Sequence, residues 1–132
     1  MAKSSSLRTP LKRARGLGAS GTGTHHFWAQ RTTAVALIPL SMWFVVTLVT
    51  ALLGEDAAGI GTWLKSPLSA LALSGLVLAL FTHARLGIQV VIEDYVHAHG
   101  IKVATILLSN TLMICFGAAS LMAIAKLHFF GA

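Results

Sequence analysis

An ionisable histidine, His83, stands inside a stretch almost free of charge, and it opens the run His83-Ala-Arg-Leu-Gly87-Ile-Gln-Val-Val-Ile-Glu93-Asp94-Tyr95-Val-His97. An imidazole at membrane depth is costly to place and by default marks a functional site. Twelve residues later a helix rising ~1.5 Å per residue has climbed roughly 18 Å. It brings Asp94 and Tyr95, the one tyrosine of the chain, to the rim of the apolar stretch. A phenol there can donate a hydrogen bond to a carbonyl oxygen, and a neighbouring carboxylate can orient it or relay protons. Quinone reduction needs such groups, because each electron pair must be matched by protons drawn from the aqueous side. The same tyrosine also suits plain anchoring in an interfacial aromatic belt.

For His83 the alternatives are a hydrogen bond to a neighbouring helix and an axial bond to a metal. Zinc wants three or four clustered ligands, and this span offers no second one. Heme iron needs only one or two axial ligands, so one histidine per chain suits a heme shared between two chains. Around His83, the small residues Gly75, Ala79 and Gly87 recur at four-residue spacing, which lines them along one slowly rotating helix face. Missing bulk permits a close helix contact, and it equally permits the approach of a flat macrocycle. Both can hold at once, since a cofactor wedged between helices is itself a helix contact.

The elements that must carry these groups follow from composition. With 55% hydrophobic residues, 11% charged residues and a mean hydropathy of +0.77 over 132 residues, the chain departs from soluble domains, whose charged fraction is about 25%. The fold class expected is an all-α membrane protein. Its apolar stretches cover about 32–53, 68–92 and 103–127, each near the ~20 residues that cross a ~30 Å hydrocarbon core. Phe27, Trp28 and Trp63 stand at the ends of spans as interfacial anchors, and Pro39 is expected to bend the first span. The connections at 54–66 and 93–102 read as loops, the first short and passive. The lone cysteine, Cys115, allows neither a disulfide framework nor cluster-ligating spacing. Iron–sulfur or flavin chemistry would have to come from another subunit.

The net charge of +6 is concentrated at one end: Lys3, Arg8, Lys12, Arg13, Arg15 and Arg31 precede any acidic residue. The positive-inside bias puts that end in the cytoplasm. Residues 1–24, rich in serine and glycine, read as a flexible basic arm, and residues 25–132 as the transmembrane anchor domain. Anionic lipid headgroups are the partner expected for the arm. No aromatic or groove-reading element accompanies the charges, so nucleic acid is not expected. The acid-free, Arg- and Ser-containing arm also fits a mitochondrial transit segment, whose cleavage would have to stop short of His25.

The pattern His83-xxx-Gly87 followed by Val-Ile-Glu-Asp94-Tyr95-Val-His97 resembles that of the hydrophobic membrane anchor subunits, D-type, of succinate dehydrogenase (respiratory complex II). The segment His25-His26-Phe27-Trp28-Ala29-Gln30-Arg31 resembles the stretch before the first helix in the same family. The resemblance implies three transmembrane helices in a heme-binding bundle shared with a partner anchor subunit. It implies that His83 is an axial ligand of the iron of heme b, and that Tyr95, with Asp94, binds ubiquinone. By the same resemblance, His25 and Arg31 lie near the heme propionates and the quinone pocket. The partners implied are a flavoprotein subunit, an iron–sulfur subunit and a C-type cytochrome b anchor, assembled at a bacterial inner membrane or, alternatively, a mitochondrial one.

On that reading the chain is non-catalytic alone and takes part in electron transfer from succinate to quinone. Arg85 departs from the pattern, being a charge where an apolar or aromatic residue is expected. At about 200° from His83 around the helix, it points away from the heme face. The C-type anchor is similar in size and helix count, but its Ser-x-x-x-Arg segment near the first helix is not evident here. From another class, a non-redox structural or assembly protein would bond His83 to a partner helix and use Tyr95 as an anchor.

Overall fold

The computed structural model describes Thr9, Leu11, residues 23–54 and residues 57–131. The basic arm assigned to residues 1–24 therefore lies outside the described residues, apart from Thr9, Leu11, Gly23 and Thr24. The described chain is helical: α1 (Gly23–Leu53), α2 (Ala57–Lys65), α3 (Pro67–Tyr95) and α4 (His99–Phe130). Three of these, α1, α3 and α4, are long and apolar enough to cross a membrane.

Both loop expectations need correction. At 31, 29 and 32 residues, the long helices are roughly 44–48 Å in length, well beyond a ~30 Å core. Hydropathy marks only the part of a helix that lipid selects, whereas backbone hydrogen bonding carries the helix on into the interface. The 93–102 connection accordingly shrinks to residues 96–98, with Val96 and Ala98 extended. The Lys102 ammonium straps this turn by donating to the Glu93 carbonyl oxygen at 2.9 Å, placing a cation at the negative end of α3. The 54–66 connection is not passive, because it contains α2. Trp63 of that helix packs on Trp43 of α1, with ring centroids 5.6 Å apart. Ser66 then caps α3, accepting from the Ser69 backbone N–H at 3.1 Å, with Pro67 in the first turn, where its missing N–H costs nothing.

Water cannot be the solvent of this surface. Among the described residues the buried apolar side chains are Ala79 and Ile92, and the buried polar one is Ser69, while Ile38, Met42, Leu71, Leu107 and Met122 are exposed. Such an apolar exterior belongs in hydrocarbon or against another apolar chain. Several hydroxyls facing it are satisfied within their own helices. Thr47 donates to the Trp43 carbonyl, Thr111 to that of Leu107, and Ser120 to that of Phe116, at 2.7–2.9 Å, as a medium without water requires.

α3 is the middle of the assembly, packing against α1 on one side and α4 on the other, and among the described residues α1 and α4 make no close approach to each other. Small residues set these approaches. A Cβ at Gly75 would lie 3.8 Å from Leu40 of α1, and one at Gly117 of α4 would lie 3.5 Å from the Phe81 ring. Gly117→Ala should therefore be tolerated. Gly117→Leu should drive branched carbons into Phe81 and destabilise the α3–α4 pair by about 1–3 kcal/mol, as read from thermal unfolding in detergent.

Candidate functional site

The low-bulk stripe of α3 faces α1 from end to end. At one end Gly75 meets Leu40, and at the other a Cβ on Gly87 would lie 3.9 Å from Gln30 Nε2. The two helices run antiparallel, so each turn forward along α1 corresponds to a turn backward along α3. Between those contacts the stripe presents His83, half-buried, whose Nδ1 lies 3.1 Å from the Thr33 hydroxyl of α1. The glycines thus work as an intrachain helix contact, with the imidazole held in its seam. Among the described residues no partner hydrogen-bonds to the Nε2 of His83.

One turn towards the end of α3, an open hollow of about 440 Å³ is lined by His25, His26, Ala29 and Leu86. The helix start at Gly23 puts both histidines in the first turns of α1, beside the last third of α3. Arg31 does not join them. Six residues apart on a helix, it lies about 120° around from His25; its guanidinium stacks over the Phe27 ring at 5.1 Å from the centroid, and both side chains are exposed. Of this sequence-derived pair, the structure brings His25 to α3 and leaves Arg31 on an outward face with Phe27.

Asp94 and Tyr95 close α3. Tyr95 is 79% exposed, Asp94 is exposed, and neither side chain has a hydrogen-bond partner among the described residues. A phenol in that state is free to donate to an arriving carbonyl oxygen. Glu93 is less free, because its carboxylate accepts from Gln89 Nε2 at 2.8 Å. His97, in the middle of the three-residue turn, and His99, at the start of α4, are both exposed.

Arg85, which sequence reasoning turned away from His83, finds its partner on α4. Its Nε donates to Asn110 Oδ1 at 2.9 Å. It borders an apolar groove of about 280 Å³ between α3 and α4, lined among others by Phe81, Met113, Gly117 and Leu121. Asn110 drew no notice in the sequence, yet an arginine inside a span is itself a signal to look for a polar residue on a neighbouring helix. Interhelical polar pairs in membranes contribute about 0.6–2 kcal/mol. Asn110→Leu should therefore lower stability by ~1 kcal/mol, whereas Arg85→Leu combined with Asn110→Leu should recover most of it, because no donor is then left unpaired. A double-mutant cycle by thermal unfolding in lipid nanodiscs measures this.

The donor set of the seam suits an axial role. Among the described residues no three His, Cys, Asp or Glu side chains converge, so a metal drawing three or four ligands from one chain is not served. A single imidazole with one nitrogen engaged and, among the described residues, no partner on the other fits an iron that takes one axial ligand from this chain.

Comparison with known proteins gives a consistent picture. Residues 5–124 match the family described as "Succinate dehydrogenase/Fumarate reductase transmembrane subunit". Among curated relatives, a succinate dehydrogenase hydrophobic membrane anchor subunit from Rickettsia bellii is 32% identical over 119 residues, covering 89% of this chain and 88% of its own length. The protein of that name from Paracoccus denitrificans is 31% identical over 119 residues, covering 90% of this chain and 91% of its own. The one from Rickettsia felis is 36% identical over 85 residues, covering 64% and 69% respectively.

Proposed function

The chain belongs to the succinate dehydrogenase/fumarate reductase transmembrane subunit family, and from that premise we propose that it is a multi-pass inner-membrane anchor subunit of succinate dehydrogenase that holds one axial ligand of a shared heme b and one side of a ubiquinone-reduction site. The observation that carries this reading is a single helix, α3, that bears a half-buried imidazole in mid-span and a tyrosine at its end, where the imidazole Nε2 and the phenol have no hydrogen-bond partner among the described residues. The heme, when bound, supplies one-electron transfer. His83 would offer Nε2 to its iron. His25, beside α3, is the residue of this chain that could approach a propionate from the hollow lined by Leu86, with Arg31 facing a neighbouring subunit beside Phe27.

At the end of α3, the Tyr95 hydroxyl donates to a carbonyl oxygen of ubiquinone, and Asp94 orients it or passes protons from water. The residue 96–98 turn and the start of α1 share one side of the membrane, since two spans separate them. The basic arm assigns that side to the cytoplasm, where flavoprotein and iron–sulfur subunits would dock. The apolar face left open by the side-by-side helices is where a C-type cytochrome b anchor would pack and complete the bundle.

Purification from native membranes tests the proposal: a flavoprotein, an iron–sulfur protein and a second small anchor should accompany this chain, with a b-type absorption spectrum. A complex without flavoprotein and without heme would instead support a structural or assembly role. Orientation is testable separately. In a Cys115→Ser background, Ser4→Cys and Ala98→Cys should react with an impermeant thiol reagent only from the cytoplasm, and Ala132→Cys only from the other side. Labelling of Ser4→Cys from outside would invert the topology and remove Tyr95 from the side of the soluble subunits.

A further inference from the structure

We propose that Thr33 is a positioning residue that sets the tautomer of His83, keeping its proton on Nδ1 and leaving Nε2 with the free lone pair. The inference deepens the reading of His83 as an axial ligand and, where it concerns the metal, rests on that reading. Three oxygen and nitrogen atoms crowd the Thr33 hydroxyl: the carbonyl oxygens of Ala29 at 2.8 Å and Gln30 at 3.0 Å, and His83 Nδ1 at 3.1 Å. A hydroxyl has one proton to give and lone pairs to offer. The two carbonyl oxygens are acceptors only, four and three residues back, the positions to which a helical threonine donates along its own helix. With the proton committed there, Thr33 can present to His83 only a lone pair. Nδ1 must then be the donor.

A neutral imidazole carries a single N–H, so placing it on Nδ1 strips Nε2 of its proton and makes Nε2 the ligating atom. This is the arrangement of ligating histidines generally, in which the second nitrogen donates to an oxygen that fixes the ring orientation and raises its donor strength. The stiffness of a β-branched side chain in a helix and the back-bond to Ala29 hold Thr33 in place before any metal arrives. Register does the rest. The contact joins residues 50 apart in sequence, and it forms because the seam closes at Gly75 against Leu40 and at Gly87 beside Gln30. Thr32, one residue away, is exposed and cannot substitute.

The test uses the full chain, labelled with ¹⁵N-histidine and reconstituted without heme in lipid nanodiscs, with the His83 signal identified by its loss in His83→Gln. In the wild-type chain the ¹⁵N shifts should report the Nδ1–H tautomer, which a free histidine side chain disfavours. Thr33→Val keeps the branched shape and removes the oxygen; His83 should then move to the Nε2–H form. Thr33→Ser, which keeps the hydroxyl, should hold the wild-type tautomer. A wild-type Nε2–H signal, or a Thr33→Val chain whose tautomer does not change, overturns the proposal whatever the heme does.

In the assembled complex a second readout follows. Thr33→Val should weaken heme retention by about ten-fold and raise the heme reduction potential, since a less basic imidazole stabilises the oxidised iron less, and Thr33→Ser should restore both. If the tautomer responds in the chain alone but His83→Ala leaves the heme spectrum of the complex untouched, Thr33 still governs the imidazole and the ligand reading of His83 is the one that fails.

Discussion

His83→Ala is expected to abolish or shift the low-spin heme b signal of the assembled complex, while the chain still inserts and folds. The two effects separate because the imidazole contributes little to the fold. Removing it deletes one interhelical hydrogen bond to Thr33, and such bonds in membranes average about 0.6 kcal/mol, whereas the α1–α3 seam also rests on Gly75 against Leu40 and Gly87 beside Gln30. Loss of an axial ligand removes a coordinate bond and should cost more than the roughly 10–100-fold in affinity that follows loss of an outer partner. Visible and paramagnetic resonance spectra of the purified complex read the result. A low-spin spectrum identical to wild type would make His83 a helix-bonding residue and nothing more.

Tyr95→Phe should leave the assembly, the heme and electron transfer from succinate to a soluble artificial acceptor intact, and should depress ubiquinone reduction steeply. The side chain is 79% exposed and ends its helix, so little packing depends on it, and phenylalanine keeps the ring that an interfacial anchor needs. What disappears is one hydroxyl. If that hydroxyl donates to a quinone carbonyl, its loss costs about 1–3 kcal/mol, or roughly ten- to a hundred-fold in the quinone-dependent rate. Asp94→Asn should give a smaller loss that depends on pH, because the amide can still accept a hydrogen bond but cannot relay a proton. Wild-type ubiquinone turnover in Tyr95→Phe would return Tyr95 to the aromatic belt.

The primary structure alone determined the class of this protein, its three spans, the mid-span imidazole and the tyrosine at the end of the same helix. Those features are local: a lipid solvent selects any sufficiently long apolar helix, and two residues on one helix keep a fixed separation whatever packs around them. The helix ends were less legible. Hydropathy falls off at Ile92 while hydrogen bonding continues to Tyr95, and α2 emerged in the tertiary structure, where Trp63 sits on Trp43.

The small-residue stripe marked one contact face on α3, but which neighbour that face meets, and which faces of α1 and α4 are packed, was not written in the pattern. In a membrane, lipid is as apolar as leucine, so these helices are apolar all round and carry no amphipathic stripe to reveal the packed side. Only the tertiary register turned the small residues of α3 towards α1, paired Arg85 with Asn110, brought His25 and not Arg31 beside α3, and chose Thr33 over its neighbour Thr32 as the partner of His83. Each of those outcomes depends on contacts between residues far apart in the chain, settled by where glycines let two backbones approach.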